Sequence, residues 1–441
     1  MSATAPSLRA IAAADPLALL LAGAFPDPDG GAPLGTSIRA IVVGDDLLDE
    51  AIARLDALDL PRRAVALMDV DTAAAMGDRV ARALAARGAV QIVNLGHRPH
   101  ADDATLARVE AAAAPDVELV VSIGSGTLTD LGKLLAHRRG LPHAAFATAP
   151  SMNGYTSVSA SIAIAGLKRS VRVQAPTAVF LDTAVLAAAP ARMRRAGLGD
   201  SLARVTAQTD WRLAHALLDR PYREAPFALL ADDEAALLAD PAALMAGDRT
   251  AARHLARLLA LSGCGMTLVG GSYPASQGEH LLAHYMEAMH ADGPDAPLHG
   301  EQIAVTTLTM ARLQRALLDG DAPRLRPSTL READVRAHFG DEQGAACWRE
   351  VQPKLADAAV AEARTARLAV VWPDLVARLD AIALPPPRLH AVLATIGAPT
   401  TPEAIGWPAA TYADAVRWAR ALRDRYTFLD LAADAAWPGL A

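Results

Sequence analysis

The chain has 441 residues, 52% apolar and 21% charged, which is a soluble globular composition and too long for one ordinary core, so two domains are expected. A formal charge of −7 and the lack of any basic run argue against nucleic acid as a partner. The two cysteines, Cys264 and Cys347, are far apart in sequence, which excludes a disulfide framework and suits a reducing compartment.

Residues 1–35 read as a lead-in. Within it Pro16–Phe25 is apolar, but a bilayer span needs about twenty such residues and a signal peptide wants a basic start. A short helix, no membrane span and a cytoplasmic protein are expected. From 36 to 190, short apolar runs alternate with helical patterns. Strands are predicted at Ile38–Val43, Arg63–Met68, Val90–Leu95, Val117–Ile123 and Ala144–Ala147. Helices are predicted at Asp46–Leu58, Ala73–Arg87, Asp103–Ala114 and Leu128–Arg138. Such alternation builds a parallel sheet with right-handed crossovers. Ligands on these sheets lie beyond the carboxyl ends of the strands. Ser157–Ile164 and Ser170–Phe180 read as a strand pair around Gly166-Leu167-Lys168.

Beyond Pro190 almost every segment has helical period: Ser201–Leu218, Glu224–Ala239, Arg249–Gly263, Glu279–His290 and Gly300–Leu318. Later helices are expected at Asp341–Glu362, Ala366–Leu379, Leu389–Ile396 and Ala410–Arg423, with Pro385-Pro386-Pro387 as a rigid break. The expected architecture is an α/β Rossmann-like domain over 36–190 and an all-α domain over 191–441.

Five places along the chain carry chemistry. The fourth strand runs into Gly124-Ser125-Gly126-Thr127, where glycines let the backbone approach a pyrophosphate and a helix start favours its charge. The same shape also serves as a plain tight turn. Asp69 ends the second strand, where an acid grips an adenosine ribose or simply caps a turn. Thr148 to Ser157, TAPSMNGYTS, is dense in hydroxyls that suit a phosphate or a carboxamide. Asp200 stands at a helix start, as an N-cap or as a carboxylate ligand. His280 and His284 share a helix face, and His299 opens the next helix. One Asp and two His give three ligands and an open position, the pattern of a catalytic divalent metal. His290 lies further round the helix. Glu279 precedes His280, so the H-E-x-x-H motif is absent.

In this order, IGSGTLTDLGK, ATAPSMNGYTSV, APTAVFLDTAVLAAAP, AGLGDSLARVTAQTDW, SYPASQGEHLLAHYME, LHGEQIAV and RDRYTFLDLAA resemble the sn-glycerol-1-phosphate dehydrogenase family. That family lies in the iron-containing alcohol dehydrogenase and dehydroquinate synthase-like superfamily, and the likeness spans roughly residues 38 to 435. It implies a nucleotide-binding domain, a helical domain and reduction of dihydroxyacetone phosphate. It assigns Asp200, His280 and His299 to a divalent metal, zinc foremost, with nickel or iron in its place in some cases. It places Gly124, Ser125, Gly126, Thr127, Leu128, Thr148, Ser151 and Ser157 at NAD(P), with Asp69 near the ribose. His284 falls beside the substrate and would relay the proton, and Asn153 and Asp200 also line the substrate. By charge alone, and not from the resemblance, Lys168 or Arg204 is expected to hold a phosphate.

A phosphorylated triose or polyol is the expected substrate, and a homo-oligomer the expected assembly. Four positions depart from the family pattern. Asn153 replaces an Asp, Arg204 a Lys, Tyr273 an Arg and Gln277 a Gly, all on the substrate side. They keep open a polyol or alcohol dehydrogenase acting without a phosphate. A dehydroquinate synthase-like lyase would use the same nucleotide and metal, and for a nucleotide-binding protein without turnover only Asn153 speaks.

Overall fold

The computed structural model describes residues 15–164, 167–290 and 296–438. It divides into two compact units, each drawn from two stretches of chain. One runs to Ser201 and adds Arg223–Ser272; the other comprises Leu202–Tyr222 and the chain from Tyr273 on.

The first unit is built on a sheet of six parallel strands: β1 (Ala40–Gly44), β2 (Ala64–Met68), β3 (Val90–Asn94), β4 (Leu119–Gly124), β5 (His143–Ala147) and a strand at Ala178–Asp182. Between β5 and that last strand lies an antiparallel pair, β6 (Ser159–Ile164) and β7 (Leu167–Arg172), so Ala178–Asp182 is β8. The spatial order is β1-β8-β5-β4-β2-β3. Strands β2, β4, β5 and β8 are buried along their whole length, which is why they read as unbroken apolar runs. Successive residues of β4 serve opposite faces. Leu119, Val121 and Ile123 pack with Leu55, Val80 and Phe146, while Val120 packs with Leu106, Leu131 and Leu135. Each such side chain contributes about 1.5–3 kcal/mol by leaving water.

The order also fixes where a ligand belongs. From β2 the chain moves to β3 at one edge, then returns to place β4 on the other side of β2 and continues away through β5. The direction of winding therefore reverses between β2 and β4, and their carboxyl ends, Met68 and Gly124, flank the switch point.

The structure corrects two expectations here. Ser170–Phe180 is not one strand. Pro176 lacks a donor and fixes its own backbone, so β7 ends at Arg172, and Ala178–Asp182 inserts between β1 and β5 instead. The helices of 225–268, grouped by periodicity with the helical half, pack in the sheet unit. The Arg249–Leu268 helix lies against Thr183–Ala188, Ala191–Ser201 and the turn Gly154–Thr156. Helical period shows that one face is apolar, not which neighbour covers it.

The second unit is helical: Ala203–Leu218, Gly278–Met289, His299–Leu318, Glu332–Phe339, Asp341–Val351, Ala358–Ile382, Pro386–Thr395, Ala409–Trp418 and Phe428–Asp434. Its core joins Leu213, Leu281, Tyr285, Ile303, Met310, Trp372, Leu375 and Phe428. The helix expected to run from Asp341 to Glu362 stops at Val351, with Pro353 in the turn that follows. A new helix then starts at Ala358, where Asp357 caps the Val360 N–H at 2.9 Å, and it runs through Pro373 to Ile382. No described helix is long and apolar enough to cross a membrane.

Candidate active site

In the sheet unit the glycine loop turns directly from β4 into the Gly126–Arg139 helix. A Cβ on Gly124 would lie 2.2 Å from Leu128 Cδ1 and 2.8 Å from Leu128 Cβ, so no side chain fits where the strand meets the helix. The Thr148 N–H donates to the Gly124 carbonyl at 3.2 Å, which ties the end of β4 to the end of β5. Ser125 precedes the helix without a side-chain capping bond. Gly124 to Leu128 and Thr148 are thus gathered at the carboxyl edge of the sheet, where a helix N-terminus favours an anion. Asp69 sits across the switch point at the end of β2. Its Oδ1 accepts the Thr72 N–H at 2.7 Å, and its own N–H donates to Thr72 Oγ1 at 2.9 Å, so it caps a short helix.

The polar segment after β5 is held from several sides. Tyr155 donates its hydroxyl to the Ala149 carbonyl at 2.6 Å, and Thr156 donates to Ala260 O at 2.6 Å. The Arg249–Leu268 helix approaches so closely that a Cβ on Gly263 would meet Thr156 Oγ1 at 2.1 Å and Asn153 O at 2.6 Å. From beneath, buried Lys133 donates to Gly154 O, to Ser159 O at 3.0 Å and to Ser157 Oγ at 3.3 Å. Burial pushes its ammonium down to about 8, against the pull of Asp130. The segment in turn meets Asp200: the Asn153 N–H donates to Asp200 Oδ2 at 3.2 Å.

Asp200 itself is 2% exposed. It does not open a helix, as the sequence suggested. It is the penultimate residue of Ala191–Ser201, and the next helix begins at Ala203 after Leu202. The N-cap reading is therefore gone. The Asn153 side chain reaches Ser262 Oγ at 3.5 Å, so it too belongs to this corner.

In the helical unit three imidazoles converge. His280 and His284 lie one turn apart with ring centroids 5.9 Å apart, and His299 is 5.2 Å from His280 and 6.5 Å from His284. His290 caps the far end of the helix and joins none of these ring contacts. Behind His280 stands Glu279, fully buried. Glu279 Oε1 accepts the Gln277 N–H at 2.7 Å and lies 3.0 Å from His280 Nδ1, while Oε2 accepts the Thr206 hydroxyl at 2.9 Å. A carboxylate there favours the tautomer in which Nδ1–H donates to it and Nε2 carries the lone pair. Asp210 supports the same helix start. It accepts the N–H groups of Gly278 (2.9 Å) and Phe428 (3.0 Å) and the Gln314 amide (3.0 Å). Burial, then the charge of Glu279, push its carboxyl up to about 8.

Two of the departing residues sit on this wall. Tyr273 stacks on Trp211 with centroids 5.8 Å apart, and the Arg425 guanidinium lies 4.7 Å from its ring centroid. Gln277 donates to the Tyr273 carbonyl at 3.0 Å, and Arg425 to the Ser276 carbonyl. Arg204 donates to Gln208 Oε1 at 2.8 Å. The side chain of Lys168 lies outside the described residues. Sequence reading misses Lys133, Glu279 and Asp210. Their one signal is a charge inside an apolar helical stretch, as in LGKLLA.

A sheet with a glycine loop at its switch point has the form of a dinucleotide-binding unit, and the helices that follow it in sequence bear paired histidines. Residues 42–190 match the family model described as iron-containing alcohol dehydrogenase. The chain is 28% identical over 411 residues to the NAD(P)+ glycerol-1-phosphate dehydrogenase of Bacillus velezensis, covering 92% of this chain and 93% of that one. It is 30% identical to the enzyme of the same name from Geobacillus stearothermophilus, over 75% of each chain. The Pyrococcus furiosus enzyme is 30% identical over 62% of this chain and 78% of its own length. The fold is that of maleylacetate reductase from Rhizobium sp. strain MTP-10005, with a TM-score of 0.58 at 18% identity over 91% of this chain and 96% of that one. The chain belongs to the glycerol-1-phosphate dehydrogenase family of iron-containing alcohol dehydrogenases.

Proposed function

We propose that the protein catalyses reversible NAD(P)-linked hydride transfer between dihydroxyacetone phosphate and sn-glycerol 1-phosphate, or a close analogue, at a divalent metal. The observation that carries this reading is the His280–His299 pair backed by buried Glu279. This reading assigns Asp200, His280 and His299 to the metal. Two imidazoles and one carboxylate fit a catalytic divalent site with an open position, with zinc first and nickel or iron after it. When bound, the nucleotide supplies or accepts the hydride and the metal acts as a Lewis acid toward the substrate oxygen.

The chain's own residues do the rest. The Gly124–Leu128 turn offers backbone N–H groups to the pyrophosphate, with Asp69 at the ribose. Thr148, Ser151 and Ser157 offer hydroxyls to the nicotinamide side. His284, half-exposed beside His280 and His299, holds or relays the substrate proton. Asn153 lines the substrate, and Arg204 meets its phosphate. A cytoplasmic location and a homo-oligomer belong to the same reading.

The test is purified protein with NADH or NADPH and either dihydroxyacetone phosphate or dihydroxyacetone, with Zn²⁺, Ni²⁺ or Fe²⁺ added in turn. Nucleotide oxidation with the phosphorylated ketone is expected. No oxidation with either ketone under any metal sinks the reading. Turnover of the unphosphorylated ketone alone moves it to a polyol dehydrogenase. In parallel, His280→Ala should lose bound metal; full occupancy would refute that ligand.

A further inference from the structure

Lys133 lies seven residues beyond Gly126, two helical turns inside the helix whose start forms the glycine loop. Its ammonium has three donors and meets three oxygens of one short segment: Gly154 O, Ser157 Oγ and Ser159 O. That segment is a single 3-10 turn, Gly154–Thr156, and has no sheet ladder until β6 begins at Ser159. Immediately before Gly154, the Asn153 N–H reaches Asp200 Oδ2. A continuous path therefore runs from the glycine-loop helix, through Lys133 and the Asn153–Gly154 backbone, to the carboxylate. Every part of it lies within the sheet unit.

We propose that Lys133 is a positioning residue for Asp200 and for the Ser151–Ser157 segment. It fixes the Gly154 carbonyl, two peptide units beyond the Asn153 N–H, and through that short stretch of backbone sets the direction of a carboxylate needed at the metal. This rests on the reading of Asp200 as a ligand. The choice of lysine suits the role, because a compact ammonium fits among carbonyl oxygens where a planar guanidinium does not. Two of its acceptors, Gly154 O and Ser157 Oγ, lie before β6 and the third, Ser159 O, is on its first residue, so loss of the ammonium leaves the Gly126–Arg139 helix and the six-stranded parallel sheet intact. Outer partners of metal ligands commonly set affinity by 10–100-fold, which is the size of effect expected here.

The experiment uses wild type, Lys133→Met, the milder Lys133→Gln and a control, Arg87→Met. Arg87 is a buried cation that donates to Leu60 O at 2.9 Å and Asp56 Oδ1 at 3.0 Å, at the opposite end of the strands from the glycine loop. Zn²⁺ affinity is measured on metal-stripped protein by competition with a coloured chelator, without turnover. Amide hydrogen exchange is followed over residues 149–159. Lys133→Met should bind Zn²⁺ about 10–100-fold more weakly and exchange faster over 149–159, with the sheet peptides unchanged. Lys133→Gln should fall between, and it keeps the test alive should the Met variant fail to fold. The proposal is overturned by unchanged exchange and affinity in a folded Lys133 variant, or by an equal loss in Arg87→Met. Wild-type protein that binds no Zn²⁺ would sink the ligand reading of Asp200 and with it the metal half of this proposal, while the exchange data still decide whether Lys133 holds the segment.

Discussion

Lys133 and Lys354 are two of the three lysines in a chain with 42 cationic residues, and both are buried, one in each unit. Each donates to backbone carbonyls. Lys133 holds Gly154 and Ser159 beside the glycine-loop helix. Lys354 donates to Arg420 O at 2.6 Å and Arg425 O at 2.9 Å, in the segment from which Arg425 reaches Ser276. They differ in their counter-charge. Asp430 lies 3.0 Å from Lys354, whereas Asp130 stands 3.9 Å from Lys133. Burial lowers both ammonium groups, but at Lys354 a carboxylate in contact opposes it. The buried lysine of the helical unit is thus half of an ion pair, while that of the sheet unit is mainly a donor to neutral oxygens. Removing them should have different consequences.

The largest effect is expected at Lys354→Met. It leaves Asp430, 1% exposed, with Arg420 at 3.8 Å as its remaining cation. Breaking a buried pair in this way costs about 3 kcal/mol, readable as a shift of the urea midpoint. Adding Asp430→Asn should recover much of the loss. A double variant as unstable as the single one would show that the carbonyls, not the pair, dominate. Lys133→Met should cost less, about 1–3 kcal/mol, because it strands carbonyl oxygens rather than a carboxylate. The reverse order would break the contrast.

A pH series sharpens it. Lys133 titrates at about 8 in the folded chain and at 10.5 when unfolded. Below pH 8 both states are protonated and the slope is flat. Between 8 and 10.5 the unfolded chain binds more protons, so stability rises with pH through that window. The difference between wild type and Lys133→Met should therefore grow by roughly 3 kcal/mol from pH 8 to 10.5. A difference that stays flat would mean that Lys133 keeps its ordinary charge when buried.

The sheet is largely legible in the sequence, because β2, β4 and β5 are buried on both faces and so appear as short apolar runs between amphipathic helices. Strand β8 is not. Its apolar run follows the alternating segment of β7 with only Pro176 as punctuation, and the pairing with β1 and β5 is what sets it in the other sheet. The helices of 225–268 are legible as helices but not as part of the sheet unit, since close approaches such as Gly263 on Thr156 leave no periodic trace. In the site, contiguous motifs show themselves: the glycine loop, the hydroxyl-rich segment and the histidine pair. What stays hidden is tertiary. Nothing near Lys133 in sequence announces Gly154, and nothing near Asp210 announces Phe428. The helix placement of Asp200 escapes the sequence because GLGDS suits a helix start as well as the last turn it occupies.

The smallest expected effect, and the finest test of how this unit uses charge, is at Asp69. Here a carboxylate oxygen holds a backbone amide, the reverse of what Lys133 does with carbonyls. Asp69→Ala removes the cap and should cost about 1 kcal/mol. Asp69→Asn keeps an acceptor for the Thr72 N–H but removes the charge, so stability should hold within about 0.5 kcal/mol. If the carboxylate also faces the ribose, the Asn variant will shift preference toward NADPH, because an acid at the end of this strand repels the extra phosphate. The ratio of kcat/KM for NADH and NADPH reads that shift apart from folding. A ratio unchanged in Asp69→Asn, together with the loss of stability in Asp69→Ala, would reduce Asp69 to a helix cap and leave the glycine loop as the nucleotide's grip on this sheet.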